Sequence, residues 1–505
     1  MVARAYIRAG VPSGSHTRAP RLRSVPAPLA ALLAVVLVFG ASWALMVPPG
    51  QLPDEPNHIG YTQSLVERHA FPGGGHRTLS TEEDLSLYYA LRGDVTRDIL
   101  KQPAWIKAPE RRLHSIGHLP GSDGGGPVPQ GQNPPLYYAY ETLPYWAVGG
   151  SFFDRVYAMR IWSVLLLLVT TTGAWLLAGE IFGRRRTLQL AAAGLAGLQP
   201  MVTFMSAGVN PDSGTFAIWT IALWLGVLIL RRGLTPASGV AFGALIGLGV
   251  WEKATGWGLV PAAACVLAVG WWRLRRGGAP RPAIPLAAGL ASFALVAGAW
   301  IATATALGRP VINQPKVPPG MTRPSLTSLH TVREFGSYVW QFYLPKLPFQ
   351  NPFWGMNGGG HRFYDTWLRT GWAAFGWLEV RLPEWMYPVF GIASAVLILG
   401  GVAALARADL RRRVDPAIVA FLLLAVVGLF FVLHWADYTY ITLQRHAVEQ
   451  GRYVLPVIAV GGLAAAGTVS LLRRRWQTPA VGLLLAALLT LQLASLGVTM
   501  ERYFA

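Results

Sequence analysis

Apolar windows about as long as a bilayer is thick recur along almost the whole chain, and they constrain its fold more than any other feature. A helix of about 17 to 25 residues crosses a hydrocarbon core of about 30 Å. Eleven predominantly apolar windows follow this pattern, the fifth being the shortest: 29–47, 156–182, 188–206, 214–230, 236–250, 256–272, 284–307, 386–406, 417–434, 454–472 and 480–498. The sequence therefore predicts an all-α polytopic membrane protein with about eleven transmembrane helices.

The composition excludes an ordinary soluble protein. Hydrophobic residues make up 53% of the 505 residues and charged residues only 13%, whereas about a quarter of a typical soluble domain is charged. The net charge of +19 would suit a nucleic-acid partner in a soluble protein. Most arginines, however, form short clusters between apolar windows, as in polytopic membrane proteins. The bilayer is therefore the expected partner, and nucleic acid is not.

The arginine clusters also predict how the chain is oriented. Cytoplasmic connections of polytopic proteins are enriched in Lys and Arg. Counted from a cytoplasmic N-terminus, the clusters fall in cytoplasmic connections and consist of Arg184, Arg185, Arg186, Arg231, Arg232, Arg273, Arg275, Arg276, Arg407, Arg411, Arg412, Arg413, Arg473, Arg474 and Arg475. We therefore expect a multi-pass protein of the inner (plasma) membrane with a cytoplasmic N-terminus and an extracytoplasmic C-terminus.

Outside the windows the chain divides into a tail and two long external segments. Residues 1–27 are rich in Arg, Pro, Ser and Ala, which predicts a disordered cytoplasmic tail, and residues 28–505 form the transmembrane domain. Residues 48–155 and 308–384 are aromatic-rich external loops in which we expect short helices on the membrane surface. A signal peptide cleaved near residues 41–44 is the alternative interpretation of the first window.

An acidic motif follows the first window directly. Residues 53–58 read Pro-Asp-Glu-Pro-Asn-His and place two carboxylates and a histidine at the mouth of a span. Ionisable groups at a membrane edge are costly and often functional. Asp54 and His58 are spaced i, i+4 and would share one face of a helix. The alternative is that Asp54 only caps a helix whose first turn contains Pro56.

Three further polar groups fall on the same predicted side of the membrane. Asn210 and Asp212 follow the third window, and Lys253 follows the fifth. Arg452 opens the tenth window, shortly after Arg445. Helix capping by the asparagine and snorkelling of the lysine are the structural alternatives. The outward-facing position of all three groups favours one shared site.

A carboxylate beside cations on that side suits transfer of a group from a lipid-linked phosphate. The reaction needs a base for the acceptor hydroxyl and cations for the leaving phosphate. We expect Asp54 or Glu55 to be the catalytic base. The candidates for binding the donor phosphate are Lys253, Arg452, His58 and Arg445. The candidates for binding the rest of the substrate are Asn133, Tyr137, Tyr138, Asn210, Asp212, Trp377, Gln450 and Tyr453.

These motifs also carry a resemblance to known families. The acidic motif after the first window and the Pro-Pro-Leu-Tyr-Tyr turn at 134–138 resemble the GT-C fold glycosyltransferases. The chain is more similar to a bacterial membrane family known as domain of unknown function 2142. That resemblance rests on residues 53–58, 210–212, 253, 375–378 and 450–453, in this order.

The resemblance implies a glycosyltransferase with a polyprenyl-phosphate-linked sugar as donor and a cell-envelope glycan, lipid or protein as acceptor at the outer face. The first-loop acid would be the base, a role that falls on Asp54 with Glu55 as the alternative. The resemblance identifies no particular cofactor, and a divalent metal is not favoured, because no second acidic pair completes a metal site. His114 and His118 lack the intervening glutamate of a helical metal motif.

Two other classes of protein remain open. A transporter or flippase of a lipid-linked sugar would have the same apolar core and phosphate-binding cations, but it would also carry charges deep within several spans and internal repeats. The sequence has few such charges and no evident repeat. A non-catalytic envelope-assembly protein would tolerate neutralisation of Asp54.

Overall fold

The described part of the chain is almost entirely helical. The computed structural model describes residues 25–72, 79–95, 104, 108–123, 129–353, 363–412 and 414–505. Residues 1–24 of the predicted cytoplasmic tail therefore lie outside the described residues, as do parts of both external segments. Within the described ranges, one two-stranded antiparallel hairpin accompanies the helices, which confirms the all-α polytopic prediction.

The elements follow one another in this order. The first half contains α1 (Ala27–Met46), α2 (Glu55–Glu67), α3 (Thr81–Val95), α4 (Ala108–His114), a 3-10 helix (Pro129–Gln132), α5 (Leu136–Ala147), α6 (Phe152–Phe182), α7 (Arg186–Leu198), α8 (Pro200–Ser206), α9 (Asp212–Arg232), α10 (Pro236–Glu252) and a 3-10 helix (Ala254–Leu259). The second half contains α11 (Val260–Arg276), α12 (Ala283–Ala306), α13 (Leu329–Tyr343), a π-helix (Tyr364–Arg369), α14 (Thr370–Trp372), β1 (Ala374–Phe375), β2 (Val380–Arg381), α15 (Met386–Ala404), α16 (Ala408–Arg411), α17 (Pro416–Gln444), a 3-10 helix (Gly451–Val457), α18 (Ile458–Leu471) and α19 (Arg474–Phe504).

Each apolar window is helical over most of its length, but three windows are divided between two helical elements, and not every helix is long enough to span a bilayer alone. Nine of the described helical stretches are long and apolar enough, and the bent pair α7 and α8 raises the number to ten. The pair bends by 57° because Pro200 has no N–H to continue the helix. Helix α10 has only 17 residues. The predicted count of eleven includes this short helix.

Side-chain caps begin two of the long spans. At the start of α6, the Ser151 hydroxyl accepts the N–H of Asp154 while the aspartate accepts the N–H of Ser151, a capping box. The Asp415 carboxylate accepts the N–H of Ala417 (2.9 Å) at the start of α17. These local signals fix where the two spans begin.

Small residues let the helices of the bundle approach closely. A Cβ on Gly243 of α10 would lie 2.1 Å from the carbonyl oxygen of Gly289 in α12, so only glycine fits at this crossing. The outer faces of α12 and α15 expose apolar side chains such as Leu295 (75%) and Leu399 (69%). Such faces suit contact with lipid chains.

The external segments pack over one end of the bundle. The first segment contributes α2 to α5, and the second contributes α13, the π-helix, α14 and the hairpin. The Tyr503 hydroxyl at the end of α19 lies within hydrogen-bond distance of Oε1 of Gln51 (3.2 Å) and of Oε1 of Glu379 (3.1 Å), one residue from each segment.

Candidate functional site

Asp54 lies between α1 and α2 in a backbone conformation that few non-glycine residues adopt. Its φ is 63°, in the left-handed region, where a side chain is usually held by its surroundings. Oδ2 of Asp54 accepts a hydrogen bond from Nη2 of Arg452 (2.6 Å), and 30% of the aspartate side chain is exposed. The pair therefore joins the first external segment to the start of the 3-10 helix before α18.

Arg452 is buried, with only 2% of its side chain exposed. Its Nη2 also donates to the Tyr453 hydroxyl (3.1 Å), and its Nε lies 3.7 Å from Oδ2 of Asp212. Among the described residues, Nε and Nη1 of this guanidinium have no hydrogen-bond partner. A buried charged donor without a hydrogen-bond partner is costly, and both groups can donate to a further acceptor.

Lys253 supplies a second cation beside the arginine. It lies at the break between α10 and the following 3-10 helix, and its ammonium forms an ion pair with Asp212. The same ammonium lies 4.8 Å from the centre of the Tyr453 ring, a cation–π distance. One-fifth of the lysine side chain is exposed, so this part of the site is open.

Asn210 ties the start of α9 to the acidic motif. Its Oδ1 accepts the N–H of Asp212 (2.9 Å), which is an asparagine turn, and its Nδ2 donates to the carbonyl of Pro53 (3.1 Å). The backbone N–H of Asn210 donates to the Tyr137 hydroxyl (2.7 Å). The asparagine therefore positions both Asp212 and the residue before Asp54.

Aromatic rings form one wall beside the acidic motif. Nδ1 of His58 lies 2.9 Å from the Tyr138 hydroxyl, which also accepts a hydrogen bond from Nδ2 of Asn133 (3.1 Å). The ring of Tyr138 stacks on that of Tyr61 at 3.7 Å. The sequence did not single out Tyr61, and only its spacing from His58 on α2 could have indicated it.

Charge and burial set the protonation states around the motif. Burial alone would raise the pKa of Asp54, but the opposing influence of the nearby charges, above all Arg452, outweighs it and holds the pKa below its ordinary value. Burial lowers the pKa of His58 to about 3, although Asp54 opposes the shift. At neutral pH the aspartate is therefore ionised and the histidine neutral.

Glu55 points away from this group into a separate ion pair. Its carboxylate accepts hydrogen bonds from Nε (2.7 Å) and Nη2 (2.6 Å) of Arg160, and both side chains are fully buried. Arg160 lies within α6 and was not among the predicted site residues. An arginine inside an apolar window is the sequence signal that could have found it.

The three remaining candidates lie at the margins. Arg445 ends α17 in a left-handed conformation and is exposed, with no side-chain partner among the described residues. Nε1 of Trp377 donates to the carbonyl of Gly50 (3.1 Å). Oε1 of Gln450 is buried without a hydrogen-bond partner in the described part of the chain. Of these three residues, only Gln450 lies next to Arg452, because it is two positions earlier in the sequence.

The described residues contain no group of three or more His, Cys, Asp or Glu side chains that could hold a metal ion. The two acids near the centre, Asp54 and Asp212, instead each lie beside a cation. His118 is exposed, and the side chain of His114 lies outside the described residues. Metal-independent chemistry remains a prediction.

Comparisons with solved structures give distant likenesses. ArnT from Cupriavidus metallidurans in the apo state has 15% identity and a TM-score of 0.45, with 90% of this chain and 61% of that chain covered. The same enzyme bound to undecaprenyl phosphate has 13% identity and a TM-score of 0.46, with 94% and 75% covered. An oligosaccharyltransferase from Archaeoglobus fulgidus, in complex with zinc and sulfate, has 13% identity and a TM-score of 0.40, with 94% and 53% covered.

All three TM-scores lie below 0.5. This chain spans about three-fifths of the apo ArnT structure.

No curated protein sequence matches the chain. The sequence profile described as "Predicted membrane protein (DUF2142)" matches residues 37–460, which is most of the chain. The chain therefore belongs to the DUF2142 family of predicted membrane proteins.

Proposed function

We propose that the protein is a membrane glycosyltransferase that moves a sugar from a polyprenyl-phosphate donor to a cell-envelope acceptor at the outer face. The observation that carries this proposal is the Arg452 guanidinium. It is buried between two carboxylates, has two nitrogens without a hydrogen-bond partner among the described residues, and has Lys253 nearby. A site with this charge pattern suits a phosphate that enters from the membrane surface.

The charges in the site favour replacement of one carboxylate by a phosphate as the partner of Arg452. Arg452 and Lys253 are balanced in the resting site by Asp54 and Asp212. A phosphate can bind the guanidinium of Arg452 in a bidentate arrangement only through Nη2 together with Nε or Nη1, and Nη2 is the nitrogen that donates to Asp54. The phosphate thereby competes with Asp54, the more exposed of the two acids. Phosphate binding would therefore release the Asp54 carboxylate.

Release would turn Asp54 from an ion-pair partner into a base. The arginine is the strongest of the charges that lower the pKa of this carboxyl, and burial opposes it. Once the arginine binds phosphate instead, the pKa rises toward the range in which a carboxylate accepts a proton readily. Donor binding would thus activate the base.

The transfer itself then balances without a further reactant. The Asp54 carboxylate removes the proton of an acceptor hydroxyl, and the hydroxyl oxygen forms a bond to the anomeric carbon of the donor sugar. The bond between that carbon and the phosphate oxygen breaks, and its electron pair leaves with the polyprenyl phosphate. Arg452 and Lys253 stabilise the charge on the leaving phosphate.

The remaining candidates fit supporting roles in this proposal. Tyr453 lies under both cations, with the Arg452 guanidinium 5.0 Å from its ring centre. The stacked Tyr61 and Tyr138 rings offer an aromatic wall next to the acidic motif, of the kind that packs against sugar rings. We place the site on the extracytoplasmic side of the inner (plasma) membrane, as the arginine clusters predict.

A reconstituted transfer assay tests the proposal. Purified protein in proteoliposomes would receive polyprenyl phosphates labelled in the sugar, together with a panel of envelope glycans, lipids and proteins. We expect label in one acceptor class, and loss of transfer in Asp54→Asn. The matched control is Glu384→Gln, which neutralises an exposed acid of the second external segment and should keep the rate.

Two outcomes would contradict the proposal. Undiminished transfer by Asp54→Asn would remove the aspartate from catalysis. Movement of labelled donor across the bilayer without transfer to any acceptor would instead favour a flippase. The second outcome is detected in the same proteoliposomes by adding a membrane-impermeant reagent that modifies only donor in the outer leaflet.

A further inference from the structure

We propose that Asp437 and Thr370 are positioning residues for Arg452. They bind the backbone of the residues that precede the arginine and thereby pre-arrange its guanidinium for phosphate. This inference rests on the proposed phosphate-binding role of Arg452. Neither residue belongs to the predicted site. Asp437 lies in α17 beyond the apolar window that predicted this helix, and Thr370 begins α14 in the second external segment.

Asp437 holds the main chain that leads to the arginine. Its side chain is fully buried. Oδ1 accepts the backbone N–H groups of Val448 (2.7 Å) and Glu449 (3.3 Å), and Oδ2 accepts the hydroxyl of Tyr338 in α13 (2.7 Å). A buried carboxylate that receives several hydrogen bonds is strongly fixed. The segment before Arg452 is therefore attached to α17 through its backbone.

The side chain of Glu449 reinforces the same attachment. Its Oε1 lies 2.8 Å from Nδ1 of His434, and both side chains are buried. Nε2 of His434 lies 2.9 Å from the Tyr343 hydroxyl. His434 and Asp437 are three residues apart on α17 and share one face. That face therefore holds both the backbone and a side chain of the segment.

Thr370 holds the segment from the opposite side, one residue before the arginine. Its Oγ1 accepts the N–H of Gly451 (2.6 Å) while its own hydroxyl donates to the carbonyl of Thr366 (2.7 Å). A Cβ on Gly451 would lie 2.2 Å from the backbone nitrogen of Gly371. Only glycine allows this approach, and the backbone of residue 451 is pressed against α14.

These two attachments leave Arg452 little freedom. Residues 448–451 are fixed on one side by α17 and on the other by α14, and the arginine that follows is itself buried. A cation that is already ordered loses less entropy when it binds a phosphate. Loosening either attachment should therefore weaken phosphate binding more than the binding of the lipid chain.

The test compares two lipid probes on the full-length protein in nanodiscs: undecaprenyl phosphate and undecaprenol, which lacks the phosphate. Asp437→Ala removes the acceptor of two backbone bonds and should weaken undecaprenyl phosphate binding by about tenfold. Affinity for undecaprenol should stay within about twofold, since only the phosphate contacts the arginine. Asp437→Asn retains an oxygen acceptor and should stay within about threefold of the wild type for both probes.

A matched control separates positioning from general destabilisation. Tyr438→Phe removes a neighbouring hydroxyl of α17 that donates to Glu334 (3.2 Å) rather than to residues 448–451. It should leave the affinity for both probes unchanged. If Asp437→Ala weakens both probes equally, or weakens neither, the positioning role is wrong.

Thr370 provides an independent second variant. Thr370→Val removes the acceptor for the Gly451 N–H and should weaken undecaprenyl phosphate by about five- to tenfold, whereas Thr370→Ser should retain wild-type affinity. In a background of Arg452→Lys, the effect of Asp437→Ala should shrink to less than about twofold, because the two residues act through one guanidinium. A full effect in that background would overturn the inference.

The binding readout also separates this inference from the proposed enzymatic function. If the wild type prefers undecaprenyl phosphate but transfers no sugar, the transferase proposal is wrong. The positioning role is then still decided by the affinities of the Asp437 and Thr370 variants. If the wild type does not distinguish the two probes, Arg452 does not bind phosphate and the positioning role is overturned.

Discussion

Two acids that are neighbours in the sequence, Asp54 and Glu55, form two ion pairs of opposite character. Glu55 and Arg160 are both fully buried, whereas 30% of the Asp54 side chain is exposed beside a buried Arg452. One pair is closed to solvent, and the other has an open side.

The hydrogen bonds differ in the same way. Besides Arg160, the Glu55 carboxylate accepts the N–H groups of Gly50 (2.8 Å) and Val209 (3.2 Å). The Arg160 guanidinium also donates to the carbonyls of Ala44, Val47 and Pro48. Arg452, in contrast, has two nitrogens without a hydrogen-bond partner among the described residues. A saturated pair holds a structure together, and an unsaturated pair can accept a ligand.

The largest expected effect is on catalysis, at the open pair. Asp54→Asn should lower the rate of sugar transfer by about 10²- to 10⁴-fold, the usual range for loss of a general base. Donor binding should persist, because the phosphate-binding cations remain. Single-turnover transfer in proteoliposomes, paired with donor binding, measures both. Loss of binding together with rate would show that the aspartate organises the site and is not its base.

The next largest effect is on stability, at the closed pair. Glu55→Gln leaves the Arg160 charge buried without its counter-ion, which should lower the free energy of unfolding by about 3–5 kcal/mol. Denaturant unfolding in detergent gives this value, and Asp54→Asn should lose clearly less stability in the same experiment. Equal losses for the two variants would erase the distinction between the pairs.

A pH-dependent effect should follow from His58, which is buried one helical turn after Asp54. In the unfolded chain its pKa is about 6.5, whereas burial in the fold lowers it to about 3. Between these values only the unfolded chain takes up the proton, so acidification favours unfolding. The free energy of unfolding should therefore decrease by about 2 kcal/mol between pH 8 and pH 5 because of this group.

The matched variant for this effect is His58→Gln, which cannot titrate. Its stability should depend less on pH over the same range, by about the amount assigned to the histidine. Unfolding at pH 8 and pH 5 in the same detergent measures the difference. An unchanged pH dependence would mean that another group titrates in this range.

The smallest effect is expected at Lys253, whose side chain is partly exposed. Lys253→Ala should weaken donor binding by about five- to tenfold, since it removes one of two cations near the phosphate. Lys253→Arg keeps the charge and should remain closer to the wild type. Titration with undecaprenyl phosphate at low and high salt measures the change, and a charge contribution should shrink at high salt.

The sequence predicted the helical bundle because each membrane span is encoded by a continuous apolar window. Each apolar window is helical over most of its length, since length and composition alone determine which segments suit a bilayer. The bend at Pro200 and the short α10 made the count of spans less certain. Neither window length nor composition indicates how two such segments pack.

The site was predictable only in part, for a related reason. Motif order placed Asp54, Lys253 and Arg452 on one side, and the structure brings all three together through Asp212 and the direct Asp54–Arg452 contact. The sequence could not separate Asp54 from Glu55, because their different directions depend on Arg160 in a distant helix. Hydrogen bonds between residues a hundred or more positions apart have no signature in a single sequence.

The left-handed backbone at Asp54 has a consequence for mutational scanning. Asparagine and aspartate adopt a positive φ more readily than other residues with a side chain, and alanine does so with strain. An alanine scan of residues 53–58 would therefore combine a chemical change with a conformational one at this position. Asparagine changes the charge and keeps the backbone preference, so a library restricted to Asp and Asn at residue 54 reports on chemistry alone.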